Sequence, residues 1–348
     1  MLRNKFWSMA SHSLATKIVV LPAIWLLLIS LAHYYLNFET TDRKIIRMGY
    51  MPVITNMAAP LLDRATMSGE GVRYKAIKYS SFSEMAESIR NNQIDAAFMI
   101  APLSIVLRQQ GADVKLVYIG NRHESTLVTR KDLNITEFPQ LAGKTIAVPI
   151  RFSGHNLSAL ALAKKYKLEG EINIVEMNPP DMASALAAGS LDAYYVGEPF
   201  AAKTLKSGHA SLLNYVEDVW PGFICNLVIV NNSLIESDPE LVQQFVSAAA
   251  RSGMWARANS DEAATIASSY WNQDVDLVNY ALNTPQNRII FDKFIPRSDE
   301  MQDIADRMVE NGLISNDSIE GLIDDRFARS ANLDGVTTLE SILRSPTR

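Results

Sequence analysis

The stretch Met85–Gly111 recurs at Met182–Gly208, a constant 97 residues downstream. MAESIRNNQIDAAFMIAPLSIVLRQQG aligns with MASALAAGSLDAYYVGEPFAAKTLKSG without a gap. Met85/Met182, Ala86/Ala183, Asp95/Asp192, Ala96/Ala193, Pro102/Pro199 and Gly111/Gly208 are identical. A helix, a strand and a turn are therefore expected twice at one spacing. Two copies are too few for a stacked solenoid, which needs about three or more units. The repeat predicts two similar α/β lobes facing each other across a ligand cleft.

The echo continues upstream. YKAIKY (Tyr74–Tyr79) lies over EINIVE (Glu171–Glu176), and the polar turn Ser80–Met85 lies over Met177–Met182. RKIIRMGYMPV (Arg43–Val53) resembles GKTIAVPIRFS (Gly143–Ser153), a strand entering a loop and then an apolar helix. Each lobe reads β-loop-α-β-loop-α-β, the pattern of a parallel sheet covered by helices. In such sheets ligands sit beyond the carboxyl ends of the strands. The expected cleft loops are 51–57, 80–83 and 99–104 in one lobe, and 151–156, 178–181 and 197–200 in the other.

Composition limits the function classes. The chain has 348 residues, 48% hydrophobic and 20% charged, ordinary for a globular protein. Residues 1–39 carry Arg3, Lys5, Lys17 and Glu39, a net +2, which leaves −7 of the formal −5 on the remainder. An acidic body with no Lys/Arg cluster argues against nucleic acid as a partner. One cysteine, Cys225, excludes an internal disulfide and any multi-cysteine metal site.

From Ile18 to Phe38 there is no Asp, Glu, Lys or Arg, and the basic residues precede this run. Twenty-one such residues are long enough to span a bilayer. Ser30-Leu31-Ala32 also fits a small-x-small cleavage site. Residues 1–39 are thus expected to be a signal peptide or a membrane anchor that places the body outside the cytoplasm. Lobe one is expected to comprise residues 40–125 and 226–348, and lobe two residues 126–225. The β-rich runs Ser125–Lys131 and Asn226–Asn232 read as two crossover strands joining the lobes. Pro239–Asn259, opened by Asp238, is a long amphipathic helix, and two further helices follow. Residues 260–348 read as helical packing against lobe one.

For catalysis the inventory is thin. There is no GxSxG, P-loop, HExxH or GxGxxG. His155 and Cys225 are the residues an enzyme would use, but Cys225 has no His partner close in sequence. For binding, Phe152–Asn156 places Ser153, His155 and Asn156 at a helix start, where a small anion would meet free N–H groups. Ser153 can equally cap the helix, whereas His155 is not a favoured cap. Glu198, in VGEP, stands where lobe one has apolar Ile100-Ala101-Pro102. It would accept from a ligand amine, pair across the hinge, or simply cap the following helix through its charge. Glu198 and Asp181 have no spacing specific for a metal, so no metal and no cofactor is expected.

GKTIAVPIRFSGHN, NPPDMASALAAGSLDAYYVGEPFAAK and DVWPGFICN together resemble the periplasmic solute-binding proteins of ABC transporters in the nitrate/sulfonate/taurine/bicarbonate family. The resemblance runs from about Ile45 to Ala258 and is nearest to the nitrate- and bicarbonate-binding branch. It implies a type II periplasmic-binding-protein fold: two doubly wound α/β lobes joined by two crossover strands, preceded here by the N-terminal hydrophobic helix. Phe82 stands at the branch's aromatic position, His155 matches its FSxHN histidine, and His123 or Glu124 matches a polar position at the crossover. The lysine usual after the WP motif is missing, since Phe223–Asn226 offers only Cys225 and Asn226. That loss, with Glu124 and Glu198 present, favours a ligand with a cationic or neutral hydrogen-bonding part.

The expected ligand contacts are Thr55, Phe82, Ser83, Met99, Glu124, Ser153, His155, Glu198 and Asn226. The expected protein is a monomeric, extracytoplasmic binding component of an ABC importer. It closes around a small polar or anionic molecule, delivers it to a permease, and meets the membrane through its N-terminal segment. A membrane-anchored ligand sensor is the alternative; a small-molecule enzyme is a more distant one.

Overall fold

The computed structural model describes residues 19–34 and 43–344. The chain divides into two units, Met1–Lys44 and Ile45–Arg348. In the first, residues 19–34 form a helix with exposed Val19, Leu21, Trp25 and Leu26. Among the described residues no helix is long and apolar enough to cross a membrane. The remainder of the expected leader, residues 1–18 and 35–39, lies outside the described residues.

The second unit contains two five-stranded sheets. Lobe one carries β1 (Ile45–Tyr50), β2 (Arg73–Lys78), β3 (Ala96–Ile100) and β4 (Val114–Ile119). Lobe two carries β5 (Ser125–Arg130), β6 (Thr145–Val148), β7 (Asn173–Glu176), β8 (Ala193–Gly197) and β9 (Ala210–Tyr215). β10 (Asn226–Asn231) then returns to lobe one. The strand orders are β2-β1-β3-β10-β4 and β7-β6-β8-β5-β9, the same topology twice. This is the expected α/β periplasmic-binding-protein architecture.

The sheets are mixed rather than wholly parallel, which corrects the sequence expectation. β1, β2 and β3 run parallel, as do β6, β7 and β8. β10 is antiparallel to β3 and β4, and β5 is antiparallel to β8 and β9. A strand arriving from the other lobe enters at the carboxyl ends of the parallel strands, so it must run against them. β5 and β10 are thus interior strands, and the actual crossovers are the short segments 120–124 and 221–225. Both incoming strands carry a register shift in the same place, at Leu127/Val128 and at Val228/Ile229.

Each lobe-one face is covered by helices. Ala58–Thr66, Pro239–Ala258, Ser260–Trp271 and Val275–Asn283 bury one face. Phe82–Arg90, Ala101–Gln109 and Ser298–Glu310 bury the other. β3, β8 and β10 are buried at every residue, as expected of strands covered on both faces. Asp238 accepts from Leu241 N–H at 3.1 Å, the expected cap of the Pro239–Ala258 helix.

The repeated residues have matched duties. Asp95 Oδ2 accepts from Arg47 N–H at 2.8 Å while Asp95 N–H donates to Arg47 O at 2.9 Å. Asp192 does the same to Thr145, at 3.0 and 3.1 Å. The aspartate directly before β3 or β8 therefore ties the start of its own strand to the neighbouring strand in both lobes. Gly111 and Gly208 follow the helices Ala101–Gln109 and Phe200–Lys206 with φ of +86° and +75°, left-handed conformations that end a helix and favour glycine.

Candidate functional site

The two crossovers and the loop after β1 meet in a buried polar cluster. Ile54 N–H, in the 3₁₀ turn Ile54–Asn56, donates to Glu198 O at the end of β8, 2.9 Å away. Asn226 Nδ2, at the start of β10, donates to Asn56 Oδ1 at 2.9 Å, and Asn56 Nδ2 donates to Met51 O at 2.9 Å. Thr55 packs so tightly on the first crossover that a Cβ at Gly120 would lie 2.1 Å from its carbonyl oxygen. The lobes are drawn together at this point.

His123 and Glu124 both have positive φ, 72° and 64°, two consecutive left-handed residues where glycine would be the easy choice. Such conformations cost on the order of 1–3 kcal/mol each and persist only where the surroundings hold them. Here the holding groups are explicit. His123 Nε2 accepts from Gly222 N–H at 3.1 Å on the opposite crossover, which leaves Nδ1–H to donate to Arg288 O at 3.1 Å. The turn delivers the Glu124 carboxyl into the cluster. Its Oε2 accepts from Glu198 N–H at 2.7 Å, while Oε1 has no hydrogen-bond partner and the residue is 0% exposed.

Arg288 comes from the segment after helix Val275–Asn283, a region read from sequence as packing only. Its side chain is 4% exposed. Nε donates to Glu217 at 2.7 Å, Nη1 to Thr126 Oγ1 at 3.1 Å and Nη2 to Ser125 O. Nη1 also lies 3.8 Å from Glu198, and the guanidinium stacks on Tyr215 at 4.1 Å. Sequence reasoning missed this residue. The available signal was Thr284–Asn287 (TPQN), a stretch that interrupts the helical pattern and leaves an arginine just beyond it.

The other expected site residues fall into groups. Glu198 both caps and pairs: Oε2 accepts from Ala202 N–H at 2.8 Å, Oε1 from Thr126 Oγ1 at 2.7 Å, and Arg288 faces it. Ser153 takes the bland role, accepting from Asn156 N–H at 3.1 Å as the cap of helix Gly154–Tyr166. His155, in the first turn of that helix, has Nε2 2.9 Å from Ser125 Oγ and 3.8 Å from Cys225 Sγ, so it does have a cysteine neighbour. Its ring meets Tyr195 and Phe223 edge-on, and Nδ1 has no partner. Phe82 and Ser83 line a cavity of about 200 Å³ against Pro149, Glu176 and Asn178 of lobe two. Met99 does not join them. It lies in β3 opposite Leu227, inside the apolar layer with Met51 and Ile100, because its position in the pleat points to the core rather than the strand end.

Burial governs the protonation of this cluster. It holds His155 neutral, with its pKa lowered to about 3. It raises Glu124 well above the carboxylate range, reinforced by the nearby charge of Glu198. It also raises Glu198, where Arg288 opposes the effect. Cys225 is pushed up by burial and by Glu124, so its thiol is not a poised nucleophile. Among the described residues no group of three or more His, Cys, Asp or Glu side chains is placed to hold a metal ion. Neither neutral, weakly basic His155 nor the protonated Cys225 thiol is poised as a base or nucleophile.

Comparison with known proteins places this geometry in a family. The NMT1-like family matches residues 40–269. The chain belongs to the NMT1-like family. A Bacillus subtilis protein named for binding aliphatic sulfonates is 26% identical over 75% of this chain and 79% of its own length. The taurine-binding periplasmic protein of Escherichia coli is 25% identical over 53% of this chain and 57% of its own length. Among solved structures, the ligand-binding component of an ABC-type import system from Staphylococcus aureus superimposes with a TM-score of 0.75 at 20% identity, covering 83% of this chain and 99% of that one. The nitrate-binding protein of Synechocystis does so with 0.73 at 10% identity, covering 83% and 88%.

The resemblance to solute-binding proteins of ABC importers therefore holds, as does the fold. These relatives are binding proteins, not enzymes. The nitrate branch is not singled out: the sulfonate-named relative aligns with 75% of the chain, a nitrate import protein of Synechococcus elongatus with 61%.

Proposed function

We propose that this chain is the solute-binding component of an ABC-type importer and closes around a small sulfonate-, nitrate- or taurine-type ligand. One observation supports this reading above the rest. Thr55 Oγ1, both side-chain atoms of Asn121, Glu124 Oε1 and His155 Nδ1 are buried without hydrogen-bond partners, all at or beside the first crossover between the lobes. Buried polar atoms left alone cost about 1–3 kcal/mol each. A ligand enclosed between the lobes would satisfy them. The strained His123–Glu124 turn fits the same reading, since it aims a carboxyl at the meeting point of both lobes.

The body then works outside the cytoplasm, with residues 1–39 as signal peptide or anchor. Lobe one is residues 40–125 and 226–348, lobe two residues 126–225. The chain acts as a monomer that presents its closed form to a permease. The ligand contacts are Thr55, Phe82, Ser83, Glu124, His155 and Glu198, with Asn226 bracing the Asn56 turn. Thermal unfolding of the full chain against nitrate, alkanesulfonates, taurine, amines and pyrimidines tests this. A saturating ligand at 100 times its Kd adds roughly 2.7 kcal/mol of stability and raises Tm accordingly. A folded chain whose Tm none of these raises would overturn the proposal.

A further inference from the structure

One continuous stretch of lobe one, residues 275–310, reaches past its own lobe and touches the other on both sides. Helix Val275–Asn283 buries Leu277, Val278, Ala281 and Leu282 in one lobe-one core, and helix Ser298–Glu310 buries Met301, Ile304, Ala305 and Met308 in the other. That spacing leaves each helix an opposite face, with Asp276 and Tyr280 on the first and Asp303, Arg307 and Glu310 on the second. Both faces meet lobe two. Lys206 Nζ, at the last residue of helix Phe200–Lys206, donates to Asp276 O at 3.1 Å and lies 5.4 Å from the centre of the Tyr280 ring. Lys164 of helix Gly154–Tyr166 pairs with Glu310, and the Arg307 guanidinium lies 4.4 Å over Trp220. Between the two helices the chain passes over the hinge, where Arg122 and Ile290 exchange backbone N–H···O bonds of 2.9 and 3.3 Å.

The two arms hold opposite faces of the lobe-two sheet. Helix Gly154–Tyr166 shares a core with Ile146, Val148 and Tyr195, whereas helix Phe200–Lys206 shares one with Ala147, Tyr194 and Val196. Those strand residues alternate, and alternate residues point to opposite faces. A turn of lobe two toward one arm is therefore a turn away from the other. The second arm also grips far from the hinge. A Cβ on Gly154 would lie 2.6 Å from the Phe223 ring on the second crossover, and Glu300 holds Arg122 on the first. Lys164 and Glu310 come ten residues later in the same helices, about 15 Å further along them. A rotation of about 15° moves a point at that radius by about 4 Å, enough to part the pair. We propose that residues 275–310 are a two-armed clasp that sets the closed angle of the lobes and the share of closed molecules present before any ligand arrives. For its effect on affinity this rests on the solute-binding reading above. Exposed ion pairs and cation–π contacts each shift an equilibrium by up to about fivefold, which suits a clasp that must also release. Lys206 and Glu310 are thus positioning residues: they touch no ligand, and a ligand that needs the closed form binds in proportion to its population.

The test combines Lys206→Ala with Glu310→Ala, one change in each arm, at unchanged net charge. Both side chains are exposed, and the fold tolerates their loss. Spin labels on Ser83→Cys and Asn178→Cys, one on each lobe, read the cleft of the full chain without ligand. The double variant is expected to lose the shorter distances that the same labels show with both clasp residues present. Lys206→Arg, which keeps a cation over Tyr280, is expected to retain them. Calorimetric titration of the unlabelled chain with taurine, propane-1-sulfonate and nitrate then reads the consequence. Each probe that binds should bind the double variant roughly threefold to tenfold more weakly, by one common factor. Ligand-free distances that the double variant leaves unchanged would overturn the clasp, as would one ligand weakened and another untouched. If none of the probes binds, the distances still decide the clasp, and only the solute-binding reading falls.

Discussion

Arg288 stands where three distant segments meet, and its neighbours explain why a single side chain matters there. It reaches Thr126 across 162 residues of sequence and pairs with Glu217 on the segment leading to the second crossover. Removing one member of a buried ion pair strands the others, at a cost of about 3 kcal/mol or more. Arg288→Ala is therefore expected to lower stability in urea unfolding by about 3 kcal/mol. Arg297→Ala, which breaks an exposed pair with Asp299, should leave the urea midpoint where it is. Equal behaviour of the two variants would remove Arg288 from its bracing role. His155 and Glu124 were visible in sequence as unusual residues at loop positions. The arginine that neutralises their surroundings was not, because an ion pair formed by separate segments leaves no local pattern.

The repeated elements show what a 97-residue echo preserves. Met85 and Met182 are each wholly buried, Asp95 and Asp192 each tie down a strand start, and Gly111 and Gly208 each end a helix. All three duties are local, so they survive while the rest of each copy drifts. No atom lies within 4 Å of a Cβ placed on either glycine, so Gly111→Ala and Gly208→Ala meet backbone strain without a clash. Each is expected to cost about 1 kcal/mol, read as a matching small drop in Tm. A loss several times larger in one of them would show that the two turns are not equivalent. Helix Val275–Asn283 went unread, since VDLVNYALN is only nine residues long and is cut short by Thr284-Pro285. The antiparallel direction of β5 and β10 was equally hidden, because strand direction belongs to the partner and not to the strand.

The two lobes share a topology down to the register shift in each incoming strand, yet they meet through unlike residues. Lobe one offers Ile54–Asn56, Phe82 and Ser83; lobe two offers His155 and Glu198. The Ile54–Glu198 hydrogen bond joins them directly, an arrangement expected of a closed state. Spin labels on Ser83→Cys and Asn178→Cys, which face each other across the outer cavity, should report a broad distance distribution without ligand. That distribution should narrow to a shorter distance with a ligand that raises Tm. A single unchanged distance in both conditions would argue for a fixed pocket without hinge motion. Cys225 is buried and does not compete for the label.

Sequence by itself determined the two-lobed α/β plan, the loops at the strand ends and the family. These follow from periodicity, turn residues and short motifs, which are written in contiguous stretches of chain. Tertiary structure alone decided that β5 and β10 lie inside the sheets, that Met99 belongs to the core, and that Ser153 and Glu198 act as caps. It alone placed Arg288 against Glu198 and left Glu124 Oε1 buried without a hydrogen-bond partner. Those outcomes depend on which distant segments a side chain meets once the lobes have packed. Charge balance in a buried site is a sum over neighbours in space, and neighbours in space are what the linear order does not list.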